Sequence, residues 1–392
     1  MPFLSLLAPF VALPFIAAAT DPTGWASLAI GQSLGGLASL VVAFGWPLNG
    51  PVEVASGTRS QVGETYYDSL LSRSLVMAVA SGPILAASVL AAPAGHALLV
   101  ASIATATTAT AFSWNWVAIG LGQPRLIVLY DVLPKMASIA AAVLIIANGG
   151  SLLWYPAALL TSTAVSLLLS ARRVVRPANA GRAHLQTLAR RLRHQLPYVA
   201  TTTAGGAYSA AAIFIVGLAT TTHATAVASS ADRFYRIGLL SVVALASAFQ
   251  AWVVHVDAPV ARRRRLVALR SHAVLAVVGG SAMALGAPLA SRVLFGASLS
   301  PSWKVTAWYG LAFACVAIST SLALHFLLPG GARAQVLACT VFGAAAGVPA
   351  VFLLARSYGS VGAAAGIGLS ELLVLLLAAA FAVRGRQAHA TH

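Results

Sequence analysis

The sequence predicts an all-α integral membrane protein of about twelve transmembrane helices in two related six-helix halves. Three observations carry this reading. Hydrophobic residues are 59% of the 392 and charged residues 8%, where a soluble domain carries about a quarter charged. The apolar residues fall in runs of about 20, the length a helix needs to cross the hydrocarbon layer of a bilayer. The arginines lie almost wholly on one side of those runs, which is the charge bias of short cytoplasmic loops.

Taken in order, the expected spans are 2–19, 25–46, 70–92, 96–120, 126–147, 151–170, 197–219, 226–254, 267–290, 304–327, 336–355 and 361–383. Breakers mark the turns between them: Asp21-Pro22-Thr23-Gly24, Ala92-Pro93-Ala94-Gly95, Gly122-Gln123-Pro124, Gly149-Gly150 and Pro329-Gly330-Gly331. The first run has neither a basic leader nor a small-residue cleavage site, so it is read as a retained helix and not a signal peptide. With the N-terminus in the cytoplasm, cytoplasmic connections hold Arg59, Arg125, the arginines of 171–196, Arg262-Arg263-Arg264-Arg265, Arg333, Arg384 and Arg386. Outer connections hold only Arg292, Lys304 and Arg356. Both termini are then cytoplasmic.

The chain repeats itself. Trp116-Val-Ala-Ile-Gly-Leu-Gly-Gln-Pro-Arg125 and Leu324-His-Phe-Leu-Leu-Pro-Gly-Gly-Ala-Arg333 occupy matching places in the two halves. Two six-span halves of the same orientation form a parallel repeat, a plan that recurs among transporters. The expected division is an N-terminal bundle 1–170, a basic cytoplasmic linker 171–196 and a C-terminal bundle 197–392.

The formal charge of +16, from 24 basic and 8 acidic residues, is explained by topology, and no exposed basic domain exists to bind nucleic acid. Cys315 and Cys339 sit in apolar runs and read as small core residues. His272 and His325, inside spans, read as hydrogen-bonded packing residues. The chain has no HExxH, no Cys-x-x-Cys and no GxxxxGK[ST], so no metal, cofactor or nucleotide is expected. Gly120-Leu-Gly122-Gln123 is a turn signal. Gly31 and Gly35, four apart, read as a close helix contact.

A charge within a span costs about 2.5–3.5 kcal/mol on insertion scales, so each requires a reason. Asp131 and Lys135 stand four apart, as do Asp232 and Arg236, and such pairs share a helix face. Arg233 adds a further positive charge beside the second pair. Glu371 lies roughly 15 Å from its helix end by helical rise, with no partner on its own helix. Two uses are open for these groups: ties between helices, or the lining of a polar cavity in which cations face an anionic substrate and a carboxylate takes up an ion. Arg59 and Arg73 flank the connection between spans two and three.

Four stretches give the chain a resemblance to a known family. Asp21-Pro-Thr-Gly-Trp-Ala-Ser-Leu-Ala-Ile-Gly-Gln-Ser, Val42-Ala-Phe-Gly45, Trp114-Asn-Trp-Val-Ala-Ile-Gly-Leu-Gly-Gln and Tyr358-Gly-Ser-Val-Gly-Ala-Ala-Ala-Gly-Ile-Gly-Leu-Ser-Glu371 follow one another as do the span-entry and turn motifs of polysaccharide flippases. These belong to the multidrug/oligosaccharidyl-lipid/polysaccharide exporter superfamily. The resemblance implies two parallel six-helix bundles around a central cavity in the bacterial plasma membrane. It also implies translocation of undecaprenyl-diphosphate-linked oligosaccharide from inner to outer leaflet by alternating access, beside polysaccharide polymerase or glycosyltransferase partners. Guanidinium groups match phosphate oxygens, which makes Arg233 and Arg236 the first substrate-binding candidates, with Arg59 and Arg73 after them. Glu371, Asp131, Lys135 and Asp232 are candidates for ion coupling or helix ties. The chain departs from the pattern in lacking a carboxylate in spans seven and eleven. Two other readings compete: a multidrug-type exporter of the same superfamily, and an integral-membrane polymerase or glycosyltransferase. The first wants carboxylates in the N-terminal half, where only Asp131 qualifies. The second wants a sizeable or acidic outer loop, and the outer connections here are short.

Overall fold

The computed structural model describes residues 12–174, 185–254 and 258–390. Every regular element among them is helical, as lipid requires of a chain with no closed barrel. Most of the expected first span, and residues 175–184 of the expected linker, lie outside the described residues. By length and composition, eight helical stretches are able to cross a membrane. One of these, Arg333–Arg384, folds back on itself and supplies two spans. With the helices Leu185–Ala219 and Thr222–Val254 and the helical residues 12–18, the expected twelve are accounted for. The chain divides into two compact units, Met1–Phe214 and Ile215–His392.

In the first unit, several expected boundaries move. Asp21-Pro22-Thr23-Gly24 is a helix start and not a turn. Asp21 caps the helix Pro22–Val42 by accepting from the Gly24 amide at 2.8 Å, and Pro22 takes the first helical position, where its missing N–H costs nothing. The helix stops where Phe44 and Gly45 take positive φ of 50° and 74°. The connection expected after it is instead a separate helix, Trp46–Ser56, followed by Arg59–Ala91, which begins well before the expected residue 70. The stretch 59–69 is polar, which hid it from a hydropathy reading. Thr58 and Gln61 close a capping box at its start. Arg73 is therefore deep inside a helix, not beside a connection. Leu185–Ala219 likewise starts within the expected linker, because Leu, Gln, Ala and Arg are good helix formers whatever their charge.

Spans two and four run in the same direction and touch. Gly31 faces Val100 and Ile103, and Gly35 faces Ala104 and Thr107. A Cβ built on Gly31 would come within 2.8 Å of the Val100 carbonyl oxygen, and one on Gly35 would collide with that of Ala104. Here the small residues let two backbones meet, the main source of helix association where lipid tails are as apolar as leucine. Ser33, on the same helix, inserts its hydroxyl into the ladder of Leu185–Ala219: it donates to the Ala210 carbonyl at 2.6 Å and accepts from the Phe214 amide at 2.9 Å. The short helix Trp46–Ser56 lies along Asn115–Gly120, with Trp46 stacked on Trp116 at 5.3 Å.

In the second unit, spans nine and ten pack antiparallel, and Thr306 donates to the Ala284 carbonyl at 2.8 Å. The run Arg262–Arg265 falls within the helix Ala258–Ser281 and not in a loop. The last two spans are one helical stretch broken at Gly359, whose φ of 58° no L-residue adopts without strain. Ser370 donates to the Gly343 carbonyl at 2.8 Å, and Gly366 packs on Val351. The pairings run in opposite senses about residue 359, so the stretch is a hairpin.

The repeated turns share one cap. The Gln123 amide donates to the Ala118 carbonyl at 2.9 Å and Gly122 to Ile119 at 2.9 Å. In the second half, Ala332 donates to Leu327 at 2.9 Å and Gly331 to Leu328 at 3.1 Å. Both are Schellman closures with a positive-φ glycine, and the same cap ends the helix at Gly149. Elsewhere large apolar side chains point outward, among them Leu90, 79% exposed, and Leu285, 81% exposed. That is the surface expected of a chain solvated by acyl tails.

The contact at Gly35 supplies a paired prediction. Gly35→Val should destabilise the purified protein by about 1–3 kcal/mol through overpacking. Gly36→Ala, where a Cβ meets nothing within 4 Å, should leave stability unchanged or slightly raised. Unfolding in mixed micelles measures both, and equal effects would remove the contact's claimed role.

Candidate functional site

The first unit gathers its intramembrane charges around one broken helix. Span four runs as Ala97–Ala109, a 3₁₀ turn to Phe112, and then Asn115–Gly120. The break leaves carbonyls without helical partners. Arg73, fully buried, supplies the donors: its Nη1 reaches the Ala111 carbonyl at 2.8 Å and that of Ser113 at 3.0 Å. Its Nε and Nη2 return to the Ser69 carbonyl at 3.0 Å and hydroxyl at 2.7 Å, and the group lies 5.7 Å from the Phe112 ring centre. The guanidinium thus sits at a helix C-terminus, where the peptide dipoles favour a cation.

On the other side of the break, Asn115 Nδ2 donates to Asp131 Oδ2 at 2.9 Å, and Lys135 Nζ lies 3.3 Å from Asp131 Oδ1. Asp131 is buried and belongs to the π-helical turn Val128–Val132. The expected i,i+4 pair therefore exists and is tied to span four. Sequence reasoning missed Asn115 and the carbonyls of Ala111 and Ser113, since backbone acceptors leave no trace in residue types. Arg59 begins the helix Arg59–Ala91, and its side chain lies outside the described residues.

The first unit also holds an open cleft of about 530 Å³ lined by Trp46, Glu53, Gln61, Glu64, Thr65 and Gln195 among others. Trp46 is fixed there by a bond from its indole N–H to Ser72 Oγ at 2.9 Å, and Glu53 accepts from Asn49. Two of the eight acidic residues line this cleft, which the sequence reading passed over because 46–69 was taken for a connection.

In the second unit the helix Thr222–Val254 carries Asp232, Arg233 and Arg236. Arg236 Nε meets Asp232 Oδ2 at 2.5 Å, the pair predicted from its spacing. Asp232 is 8% exposed at its side chain and Arg236 35%. Arg233 is buried. Two guanidinium groups and one carboxylate therefore lie within five residues of this helix. Tyr235 packs on Tyr309 at 5.4 Å, beside Arg236. Glu371 is half-buried in the second arm of the hairpin and within electrostatic reach of Cys315. Among the described residues it has no hydrogen-bond or ion-pair partner. Cys315 and Cys339 are buried free thiols. His272 and His325 are fully buried, but only His272 makes a bond, to the Ala268 carbonyl at 2.8 Å. The expectation that both are hydrogen-bonded packing residues fails for His325. No group of three or more metal-ligating side chains occurs among the described residues.

Comparison of the whole chain with solved structures gives the fold its place. An inward-facing multidrug resistance MATE family transporter of the MOP superfamily superposes with a TM-score of 0.71 at 15% identity, over 100% of this chain and 95% of that one. The lipid II flippase MurJ in an inward closed conformation gives 0.73 at 9% identity, over 97% and 87%. The fold is that of MOP superfamily transporters. A third such transporter, from Pyrococcus furiosus and noted for the reverse polarity of its binding pocket, gives 0.58 at 13% identity over 98% and 92%. No protein-family model matches the chain, and no curated protein does.

Arg73 provides the prediction from this geometry. Arg73→Met should strip donors from two buried carbonyls, at about 1–3 kcal/mol for each group left bare. Arg73→Lys should recover little, because a single ammonium cannot span both sides of the fork. Thermal unfolding in detergent reads the difference. A Lys variant as stable as the wild type would show that the fork is not needed.

Proposed function

We propose that the chain is a flippase that moves undecaprenyl-diphosphate-linked oligosaccharide from the inner to the outer leaflet for surface polysaccharide assembly. It is a transporter and not an enzyme: it breaks no bond, shelters the polar head from lipid and works by alternating access to the two leaflets. The halves we assign are the bundles 1–170 and 197–392 joined by the basic linker 171–196, with both termini cytoplasmic in a bacterial plasma membrane. A polysaccharide polymerase or glycosyltransferase is the partner such a cargo implies.

The observation that carries the reading is the placing of two guanidinium groups, the buried Arg233 and the half-buried Arg236, within one turn of a single helix. A diphosphate offers oxygens in the geometry a guanidinium fork accepts, and two forks on one helix turn suit its two phosphates. Arg233 and Arg236 are the substrate-binding residues in this account, Arg236 exchanging its carboxylate for phosphate on loading. Arg59 is a secondary contact at the cytoplasmic mouth. Arg73, with its bonds inside its own unit, holds the broken helix and meets cargo only if that break opens. Asp131, Lys135 and Asp232 act as ties, and Glu371 is the carboxylate we assign to ion coupling.

A multidrug-type exporter of cations is the second reading. The cleft lined by Glu53 and Glu64 favours it, together with the full-length likeness in fold to MATE transporters.

Deletion of the gene should accumulate lipid-linked oligosaccharide on the inner leaflet. Arg233→Ala and Arg236→Ala should each lower export at unchanged protein level. Each lost charge-assisted contact is worth about 1.5–3 kcal/mol, roughly a 10- to 100-fold effect if expressed in full. Normal surface glycan in the double variant would overturn the assignment. Loss of dye efflux with Glu53→Gln, glycan being intact, would transfer the function to the second reading.

A further inference from the structure

The second unit buries two histidines against each other with more unmet hydrogen-bonding capacity than a packing role explains. His272, from Ala258–Ser281, and His325, from the π-helical turn Leu322–Leu327, have no exposed surface. Their ring centres are 5.5 Å apart at 62°, and Phe249 closes over both at 6.4 and 6.3 Å. A carbonyl only accepts, so the contact of His272 Nδ1 with the Ala268 carbonyl places the hydrogen on Nδ1 and leaves Nε2 a bare lone pair in the neutral ring. Neither nitrogen of His325 has a partner among the described residues, nor does His272 Nε2, nor the buried hydroxyl of Ser321, one turn before His325. Four buried polar atoms thus face unmet desolvation on neighbouring segments. The wider π turn, a feature frequent at functional sites, is where His325 is presented.

We propose that His272 and His325 form a proton-binding site, in which one added proton is held between the bare Nε2 of His272 and a ring nitrogen of His325, with Ser321 as an accessory acceptor. The chemistry balances simply: the proton enters from water, an N–H···N bond forms, and the same proton leaves when the rings part. Neutral, the three nitrogens left open share a single N–H, that of His325; with one proton added they hold two, enough to bridge the rings and to serve Ser321. Arg265 and Arg270 precede His272 on its own helix, and Arg333 follows His325 after the Gly331 turn, so the pair lies about two turns from a strongly basic end of the unit. On the packed elements around it, Thr222–Val254 contributes uncharged Phe249 and has Arg236 as its next charge toward the N-terminus. Trp303–Ser321 carries Cys315, and the hairpin carries Cys339, in the same apolar cluster as Leu322 and Leu327, and Glu371. Among the described residues no hydrogen bond or ion pair joins any of these to either imidazole. Use of the site to drive transport rests on the flippase reading; the site itself does not.

Imidazole ¹⁵N spectra of the full chain in lipid nanodiscs, titrated between about pH 4.5 and 8.5, a window around the ordinary histidine range, test the proposal. His272→Gln and His325→Gln assign the two rings. The expected result is a single shared protonation step for both, with either substitution abolishing protonation of the remaining partner in that range. Two independent titrations, or no response from either ring, would overturn it. So would uptake of one Zn²⁺ per chain by the wild type and by neither variant, which would make the pair a metal site. Should a Gln variant fail to fold, the double replacement by leucine serves. It should unfold at or above the wild-type temperature and lose a pH-dependent shift that the wild type shows between about pH 5 and 8. An unchanged pH dependence counts against the site. A failed export assay bears only on the flippase reading, since the spectra require no cargo.

Discussion

Much of the first unit depends on a rule that water relaxes and lipid enforces: a peptide carbonyl released from its helix must find a donor. Span four breaks between Ala109 and Asn115, and the guanidinium of Arg73 answers the break from a neighbouring helix. That one group fixes the register of Arg59–Ala91 against span four. Asn115 then joins the same break to Asp131 and Lys135 on span five. Ser33 shows the rule in smaller form, since its hydroxyl stands in for a helical bond between Ala210 and Phe214. Broken helices are thus held by named side chains and not left to local plasticity.

The charges inside the spans divide by what meets them. Asp131 and Lys135 neutralise each other and are stitched to span four through Asn115, so they stabilise without asking for a ligand. Asp232 pairs with Arg236 on its own helix, and Arg233 is buried beside them. Glu371 faces no cation among the described residues and lies near a thiol. The second unit thus holds a cluster of buried polar atoms at His272, Ser321 and His325 without hydrogen-bond partners among the described residues. The cleft of the first unit differs in being lined by two carboxylates, Glu53 and Glu64.

The fold class was legible because hydropathy and arginine placement are set by the bilayer itself, and an apolar run of 20 residues has few other uses. The pairs Asp131–Lys135 and Asp232–Arg236 were legible from spacing, since a helix brings i and i+4 together whatever surrounds it. The polar helical stretches were not. Residues 46–69 and 185–196 fold as helices while looking like connections, because hydropathy reports the solvent of a segment and not its backbone. Asp21-Pro22 was read as a turn although the same dipeptide is an N-cap followed by a first-position proline. Arg73 was placed at a loop for the same reason, and its bonds go to backbone oxygens, which carry no residue label. The histidine pair needed the π turn at 322–327 to bring it into view, and no spacing rule relates positions 272 and 325.

The hairpin at Gly359 has a mechanical consequence. Its arms are joined by a single left-handed residue and locked along their length by Ser370 on Gly343 and by Gly366 against Val351. Such contacts oppose sliding or twisting of one arm along the other. The two arms are therefore held as one piece over the stretch those contacts span.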